Sequence, residues 1–446
     1  MEKTIRFFDF EVQNNLFNVR DKKGLYPWEA VRYWVSFNLE HTNTIAHTTR
    51  RESLLSNICS SLKQIIEFFF YIVRHRHCRN MMILSSRDKR NGLYYDKICE
   101  DFYGLLNIKE TLTLESIYPS KKNSYKYSGF TCSNLLETFL SHFPIGTFDF
   151  TEIHKLIKTH FPEFSMTVSD LNSLYRIFVS QYIYYKFIFK YCGIKRVYMI
   201  QNGIKKGLFA AANELGIEVV EFQHGQISRN HLAYSYPESI ENAINVYHPN
   251  KLLLFGEIWK KDRSYPGVEN IVIGNNSYAG KNTMPDTHGN KIILVISNRE
   301  EGEMLSNLVK QILEIDKGFS FFFKLHPNQY REKDLYESCF NDYPNVEVVT
   351  DSATVNKLLE QSEGILVVQS TAELEALQAG RKVFVLKAGS YEFMDFVFVE
   401  KGVYLISDHT EFVESYNFHK EEKLEPRHDI FVPFRDNVAC RLLEEL

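Results

Sequence analysis

Five short polar clusters in this chain combine residue types suited to holding an anionic, hydroxyl-rich ligand. The first is Gln223-His224-Gly225. Its histidine can donate to a phosphate or carboxylate, or act in proton transfer, and its glycine lets backbone approach a ligand closely. The second is Lys324-Leu325-His326-Pro327. Pro327 fixes the turn, and strand alternation places Lys324 and His326 on one face. The third is Gln369-Ser370-Thr371, with Glu373 and Glu375 just downstream. Two hydroxyls at a helix start, with free N–H groups behind them, suit an anion, and a nearby carboxylate can accept from ribose hydroxyls. The fourth is Ser297-Asn298-Arg299, whose arginine can neutralise phosphate charge. The fifth is Ser85-Ser86-Arg87, followed by Asp96. Here Arg87 can hold an anionic acceptor and Asp96 can serve as a base. Each cluster also has an ordinary structural counterpart: a turn histidine, a strand stop, a helix N-cap, a βα loop or a solvated loop.

Other signatures are absent. The sequence holds no G-x-G-x-x-G, no Walker A loop and no G-x-S-x-G elbow. It also lacks D-x-D, so metal-dependent sugar transfer is not indicated and no metal ligands are assigned.

The clusters need elements to position them, and each follows a candidate strand. In the second half, Ile292–Ser297, Phe319–Leu325, Val346–Val349, Gly364–Val368, Lys382–Leu386 and Val403–Ile406 are short apolar runs. Helical patterns over Gly302–Ile315, Ala353–Gln361 and Ala372–Ala379 alternate with them. That alternation predicts βαβ units and a parallel sheet. Arg196–Ile200, Glu218–Phe222, Leu252–Phe255 and Ile271–Ile273 repeat the grammar upstream, with Lys206–Leu215 as a helix. Gln201-Asn202-Gly203 is a further polar strand end. Met81–Ser85 and Thr111–Glu115 can complete the same sheet. The reading is an α/β chain with two domains. Residues 1–280 form the N-terminal one, with a helical insertion at about 120–190. Residues 281–446 form the C-terminal one, whose last helix is a candidate to pack back on the first. The polar stretch Asn275–Asn290 reads as the linker. Two doubly wound domains imply a cleft, with ligands at the carboxyl ends of the strands.

Bulk properties narrow the class. The chain has 446 residues, 44% hydrophobic and 24% charged, which supports folded domains throughout. A formal net charge of −4 gives no case for nucleic-acid binding. One local exception is the basic run Arg74–Arg79, read as a solvated helix end, with contact to an anionic membrane surface or an acidic acceptor as the sharper alternative. The seven cysteines are scattered and form no C-x-x-C, which suits a reducing compartment. Met1–Arg6 begins no signal peptide, and no apolar run reaches spanning length.

Taken in order, Gln223-His224-Gly225, Lys324-Leu325-His326-Pro327 and Gln369-Ser370-Thr371 resemble the motifs of bacterial capsule and O-antigen glycosyltransferases that use CMP-activated acidic sugars. These include Kdo transferases and the bacterial sialyl- and polysialyltransferases. The glycerophosphate transferases of teichoic acid synthesis are a more distant likeness. The resemblance covers roughly residues 196–407. It implies the two-Rossmann GT-B fold, metal-free catalysis and CMP contacts at His326, Ser370 and Thr371. The D/E-D/E-G motif of many sialyltransferases is missing, which leaves the base unassigned by the resemblance; from the residues themselves, His224 or Asp96 could serve.

The resulting expectation is a glycosyltransferase with no cofactor. A CMP-linked sugar would be held by Ser297, Asn298, Arg299, Lys324, His326, Pro327, Ser370, Thr371 and Glu375. A glycan or lipid-linked glycan acceptor would be held by Arg87, Gln223 and Gly225. The expected location is the cytoplasm or the cytoplasmic face of the inner membrane, without nucleic-acid partners. A sugar-nucleotide epimerase, a CDP-glycerol-type transferase and a non-catalytic assembly protein are the alternatives.

Overall fold

The computed structural model describes residues 2–40, 65–115, 125–127, 130–131, 145–200, 202–240, 246–261, 267–279 and 284–444. Gln201, residues 120–124, 128–129 and 132–144 of the helical stretch, and residues 280–283 of the linker lie outside them.

Two Rossmann-like α/β domains form the chain. The first sheet has seven strands: β1 Asn80–Leu84, β2 Thr111–Glu115, β3 Phe130–Thr131, β4 Arg196–Met199, β5 Glu218–Phe222, β6 Lys251–Leu254 and β7 Glu269–Val272. Their order is β3-β2-β1-β4-β5-β6-β7. The second sheet has six: β8 Ile292–Ile296, β9 Ser320–Lys324, β10 Val346–Val349, β11 Gly364–Val367, β12 Lys382–Leu386 and β13 Val403–Ile406, in the order β10-β9-β8-β11-β12-β13. Every ladder within both sheets is parallel. The central strands are apolar on both faces because helices cover both. Ile293, Leu294, Val295, Ile365, Leu366 and Val367 are all fully buried.

Helix placement follows the residue pattern. In Gly302–Ile315, Leu305, Leu308, Val309 and Ile312 fall at i, i+3, i+4 and i+7 and are buried. Val168–Cys192 opens with a capping box between Thr167 and Asp170 and stops at Gly193, whose φ is 72°. Two helices that the patterns above leave unassigned, Glu2–Gln13 and Pro27–Glu40, carry a buried polar cluster. Arg32 pairs with Glu11, and Lys206 donates to Tyr236, to the Tyr247 carbonyl and to Glu29.

The strand order reverses between β1 and β4 in the first sheet and between β8 and β11 in the second. Such reversals open a crevice at the carboxyl edge, where ligands bind. The chain then crosses back. Val432 donates its N–H to the Phe255 carbonyl, 2.9 Å, and Trp259 Nε1 donates to the Ile430 carbonyl, 3.1 Å. This strap lies so close that a Cβ on Gly256 would stand 2.1 Å from the Ile430 oxygen. The helix Asp436–Glu444 then buries Ala439 and Leu442 beside Met82, Leu84 and Tyr198 of the first sheet.

Candidate active site between the carboxyl edges

On the first sheet, β1 runs into Ser85-Ser86-Arg87 and β5 into Gln223-His224-Gly225. Arg87 is exposed, with Nε donating to Ser85 Oγ at 3.2 Å. It lies near enough to His224 to act on it electrostatically. Burial, with help from the Arg87 charge, pushes the His224 imidazole down to about 4. The ring is therefore neutral at physiological pH. Its Nδ1 stands 3.3 Å from the Tyr234 hydroxyl, which donates to the buried Glu221 carboxylate at 3.0 Å. With Tyr234 donating to Glu221, its oxygen accepts from His224 Nδ1–H. That arrangement leaves the Nε2 lone pair available. Tyr234 and Glu221 carry no local motif, and the only sequence hint is that they bracket the His224 loop.

Two neighbours expected at the ligand, Asp96 and Gln223, have their side chains engaged within the fold. Asp96 is 2% exposed, and its carboxylate accepts the N–H groups of Ser85, Ile98 and Cys99. It braces the loop and is not presented as a base. Gln223 is fully buried, accepting from Phe255 N and donating to the Gly225 carbonyl, so it ties β5 to β6 rather than reaching an acceptor. Gly225 has open space where a Cβ would stand, so close backbone contact within the fold does not require glycine there. Between Arg87 and Asp96 runs a two-stranded ribbon, Asp88–Arg90 with Leu93–Tyr95, turning at Asn91-Gly92 with φ values of 52° and 81°. An Asn-Gly pair is the usual signal for such a turn.

On the second sheet, the loops after β8 and β9 are locked together by Gln329. This fully buried side chain accepts from His326 N and Ser297 Oγ, and donates to the Asn298 carbonyl and Tyr336 hydroxyl. Ser297 is thus internal, not free for ligand. Asn298 braces the loop before the next helix by accepting from Glu300 N and Glu301 N. Arg299 is exposed, 3.7 Å from Glu332. His326 is exposed at the N-cap of the 3-10 turn Pro327–Glu332, with Nδ1 2.6 Å from Asn328 Oδ1 and Pro327 at its first position. Lys324 does not share its setting. Its ammonium turns to the Thr350 carbonyl and the Tyr330 hydroxyl, beside the end of β10, and burial pushes its pKa down. Lys324 therefore belongs to the edge of the sheet rather than to the crevice.

At the second switch point, Ser370 Oγ accepts from Ala372 N, and Ser370 N donates to Glu373 Oε1 at 2.8 Å. Glu373 is fully buried, its other oxygen has no partner, and burial raises it to about 8. Glu375 is raised to about 7 by burial, against the pull of Lys97 from the first domain. Glu301, at the end of the β8 loop, is also raised to about 7 by burial. Three carboxyl groups near the carboxyl edge of the second sheet, Glu301, Glu373 and Glu375, are thus pushed up toward or past neutrality by burial. Glu301 shows no motif in the sequence.

The two edges meet. Asn230 donates to the Glu392 carbonyl at 2.6 Å, Arg229 lies 3.9 Å from Asp395, and the His231 ring packs on Phe393 at 5.4 Å. His224, Arg87 and Lys97 therefore come from one wall, and Ser370, Thr371 and Glu375 from the other. Among the described residues, no three His, Cys, Asp or Glu side chains are grouped to hold a metal ion.

Residues 301–396 match the family model of capsule polysaccharide biosynthesis proteins. No curated protein matches the chain by sequence. Among solved structures, it is similar to the UDP-GlcNAc 2-epimerase of Methanocaldococcus jannaschii in complex with UDP-GlcNAc and UDP, at 14% identity over 82% of this chain and 98% of that one, TM-score 0.48. The Neisseria meningitidis UDP-GlcNAc 2-epimerase bound to UDP-GlcNAc is similar at 16% identity, with 82% and 98% covered and a TM-score of 0.46. MurG of Acinetobacter baumannii is similar at 9% identity, with 82% and 100% covered and a TM-score of 0.49.

Proposed function

We propose that this chain is a glycosyltransferase of capsule polysaccharide assembly, moving an acidic sugar from a CMP donor onto a glycan or lipid-linked glycan. One observation carries the reading. The segment that matches the capsule biosynthesis family, 301–396, holds the loops after β9, β11 and β12, and the last of these touches Arg229, Asn230 and His231 of the loop that begins at His224. The choice of CMP rests on the resemblance of His326-Pro327 and Ser370-Thr371 to the CMP-sugar transferases.

In this reading the second domain holds the donor. His326 faces a phosphate, Ser370 and Thr371 offer hydroxyls, and Glu375 meets the ribose. The first domain presents the acceptor to His224. The acceptor hydroxyl gives its proton to His224 Nε2 as its oxygen bonds the anomeric carbon. The anomeric carbon's bond to the phosphate oxygen breaks, and its electron pair leaves with the nucleotide. This single displacement inverts the anomeric centre. An imidazole near 4 is a weak base in the empty site. An arriving anionic donor offsets the Arg87 charge, the smaller of the two causes that lower the ring, while burial, the larger, persists. The positive groups Arg87 and Lys97 supply charge stabilisation without a metal, and His326 offers a hydrogen bond.

A melting panel with CMP, CDP, UDP and GDP tests the nucleotide, because a ligand of the native state raises the transition by mass action. Product analysis then separates the alternatives. An epimerase converts donor without acceptor, a glycerophosphate transferase moves a phosphate with its glycerol, and an assembly protein turns over nothing. Transfer to acceptor that continues in EDTA supports the reading, and transfer that needs added Mg²⁺ or Mn²⁺ contradicts it.

A further inference from the structure

One surface feature has no part in the cleft. Residues 65–74 are helical, and Phe68 and Ile72 turn into the core. Ile66, Phe69, Phe70 and Val73 stand at i, i+3, i+4 and i+7 on the other side, all exposed, with Phe70 at 65%. A helix serving only as a cover for the sheet would carry polar residues there. The neighbouring helix Val168–Cys192 extends the stripe. Phe187 lies 6.4 Å from Phe69 ring to ring, and Tyr191 lies 5.7 Å from Phe187, both exposed. Six large apolar side chains thus share one face. The single acidic residue of the 65–74 stretch, Glu67, is half-buried at its flank.

The stripe ends in positive charge. Arg74, Arg76 and Arg79 are exposed just beyond it, and Lys195 joins them because its N–H donates to the Arg79 carbonyl at 2.7 Å. Among the described residues none of these four is in an ion pair with a carboxylate, although the whole chain carries −4. Arg79 precedes β1 and Lys195 precedes β4, so the cationic border sits at the amino edge of the first sheet. The crevice lies at the opposite edge.

We propose that this face docks on an anionic lipid bilayer. The apolar stripe enters the boundary between headgroups and acyl chains, and the cations meet acidic headgroups. Charge selects this occupant over a second copy of the chain, since a twofold contact through the patch would bring its cationic border against itself. No described helix is long and apolar enough to cross a membrane, so the contact is one of surface. Docking at the amino edge keeps the carboxyl-edge cleft open to a water-borne donor. The inference does not depend on which sugar is transferred.

Vesicle co-sedimentation of the full chain tests it, with phosphatidylcholine alone and with phosphatidylcholine containing phosphatidylglycerol, at about 0.1 M salt. Binding is expected only to the anionic vesicles and is expected to weaken in high salt. Phe70→Ser with Val73→Ser should lower partitioning at least tenfold. Arg74→Glu with Arg76→Glu should lower it roughly twenty-five-fold or more, at about fivefold per cation lost. Both double variants replace exposed side chains, so their melting temperatures should match the parent. No partitioning into anionic vesicles overturns the proposal, as does equal partitioning into neutral ones. A dimer in light scattering that either double variant dissolves overturns it too, by assigning the face to a second copy.

Discussion

In the proposed reaction His224 is the base, and its surroundings give it a testable signature. Burial and Arg87 hold it near 4, while Tyr234 and Glu221 fix which ring nitrogen carries the proton. The acid limb of kcat/KM, which reports the free enzyme, should therefore lie near pH 4 to 5 with a plateau through neutrality. His224→Gln should lower kcat by roughly 10²- to 10⁴-fold with little change in KM. An acid limb at the ordinary histidine value near 6.5 in kcat/KM would show that the ring is not desolvated as described. Glu373 makes the opposite kind of test. Its native pKa of about 8 stands above the ordinary 4.5, so the native state keeps a proton that the unfolded chain releases. Stability from this group is full below about 4.5 and is lost as pH rises through about 8. Glu373→Gln keeps the neutral form and the bond from Ser370 N. It should melt higher than the parent at pH 8 and together with it at pH 5. Equal melting at both values would mean that the buried oxygen finds a partner in solution.

At the scale of elements, the crevice of the second domain depends on how tightly two loops and a helix converge. Gly302 opens the helix Gly302–Ile315 where a Cβ would stand 2.2 Å from the Tyr336 hydroxyl and 2.8 Å from both Gln329 Nε2 and Ser297 Oγ. Gly302→Ala must push this network apart, at a cost of about 1–3 kcal/mol. The melting temperature should fall, and donor affinity should fall with it, since Gln329 positions the loops of Ser297 and His326. A variant of parental stability would show that the network yields freely.

The elements themselves were largely legible. Gly302–Ile315 and Lys206–Leu215 were bounded as read, because an apolar stripe and a following glycine or turn define them. The parallel strands were readable as apolar runs for the same physical reason that they are buried on both faces. Side-chain direction was not legible. Lys324 and His326 alternate correctly along the chain. The strand ends at Lys324, however, and the turn at Pro327 sends the two side chains to different partners. Asp96, Gln223 and Ser297 are polar residues at strand ends, as a site needs, yet backbone N–H groups and neighbouring side chains claim them. Only coordinates separate a loop brace from a ligand contact of the same residue type. Conversely, Gln329 gains its importance from Ser297 and Asn298, more than thirty residues away. The Asn91-Gly92 ribbon is the exception, since its turn signal stands in the sequence itself.

Across the whole molecule, the two domains are joined twice, once through the linker and once through the strap that returns over Gly256. The helix Asp436–Glu444 completes the core of the first domain from the far end of the chain. Leu442 is 3% exposed beside strands of the first sheet. Leu442→Ala should cost about 2–5 kcal/mol and destabilise the first domain, although the residue follows the second in sequence. Hydrogen exchange should then rise in β1 and β4. Exchange that rises only within residues 436–444 would show that the helix is an appendage. The helices Glu2–Gln13 and Pro27–Glu40 were invisible to motif reading, because their buried Glu11, Arg32 and Glu29 interrupt the apolar pattern that marks a helix. Their partners, such as Lys206, lie nearly two hundred residues away.

The central claim is that a donor nucleotide sits on the carboxyl edge of the second sheet, with His326 on its phosphate. Calorimetric titration of CMP into the parent and into His326→Ala, with the melting temperature of each, tests it most directly. A charge-assisted hydrogen bond contributes about 1.5–3 kcal/mol, so the substitution should weaken CMP roughly ten- to a hundredfold. The melting temperature without ligand should barely change, because the exposed ring packs little. CMP binding of equal strength in both proteins contradicts the site, and binding of UDP or GDP in place of CMP contradicts the donor.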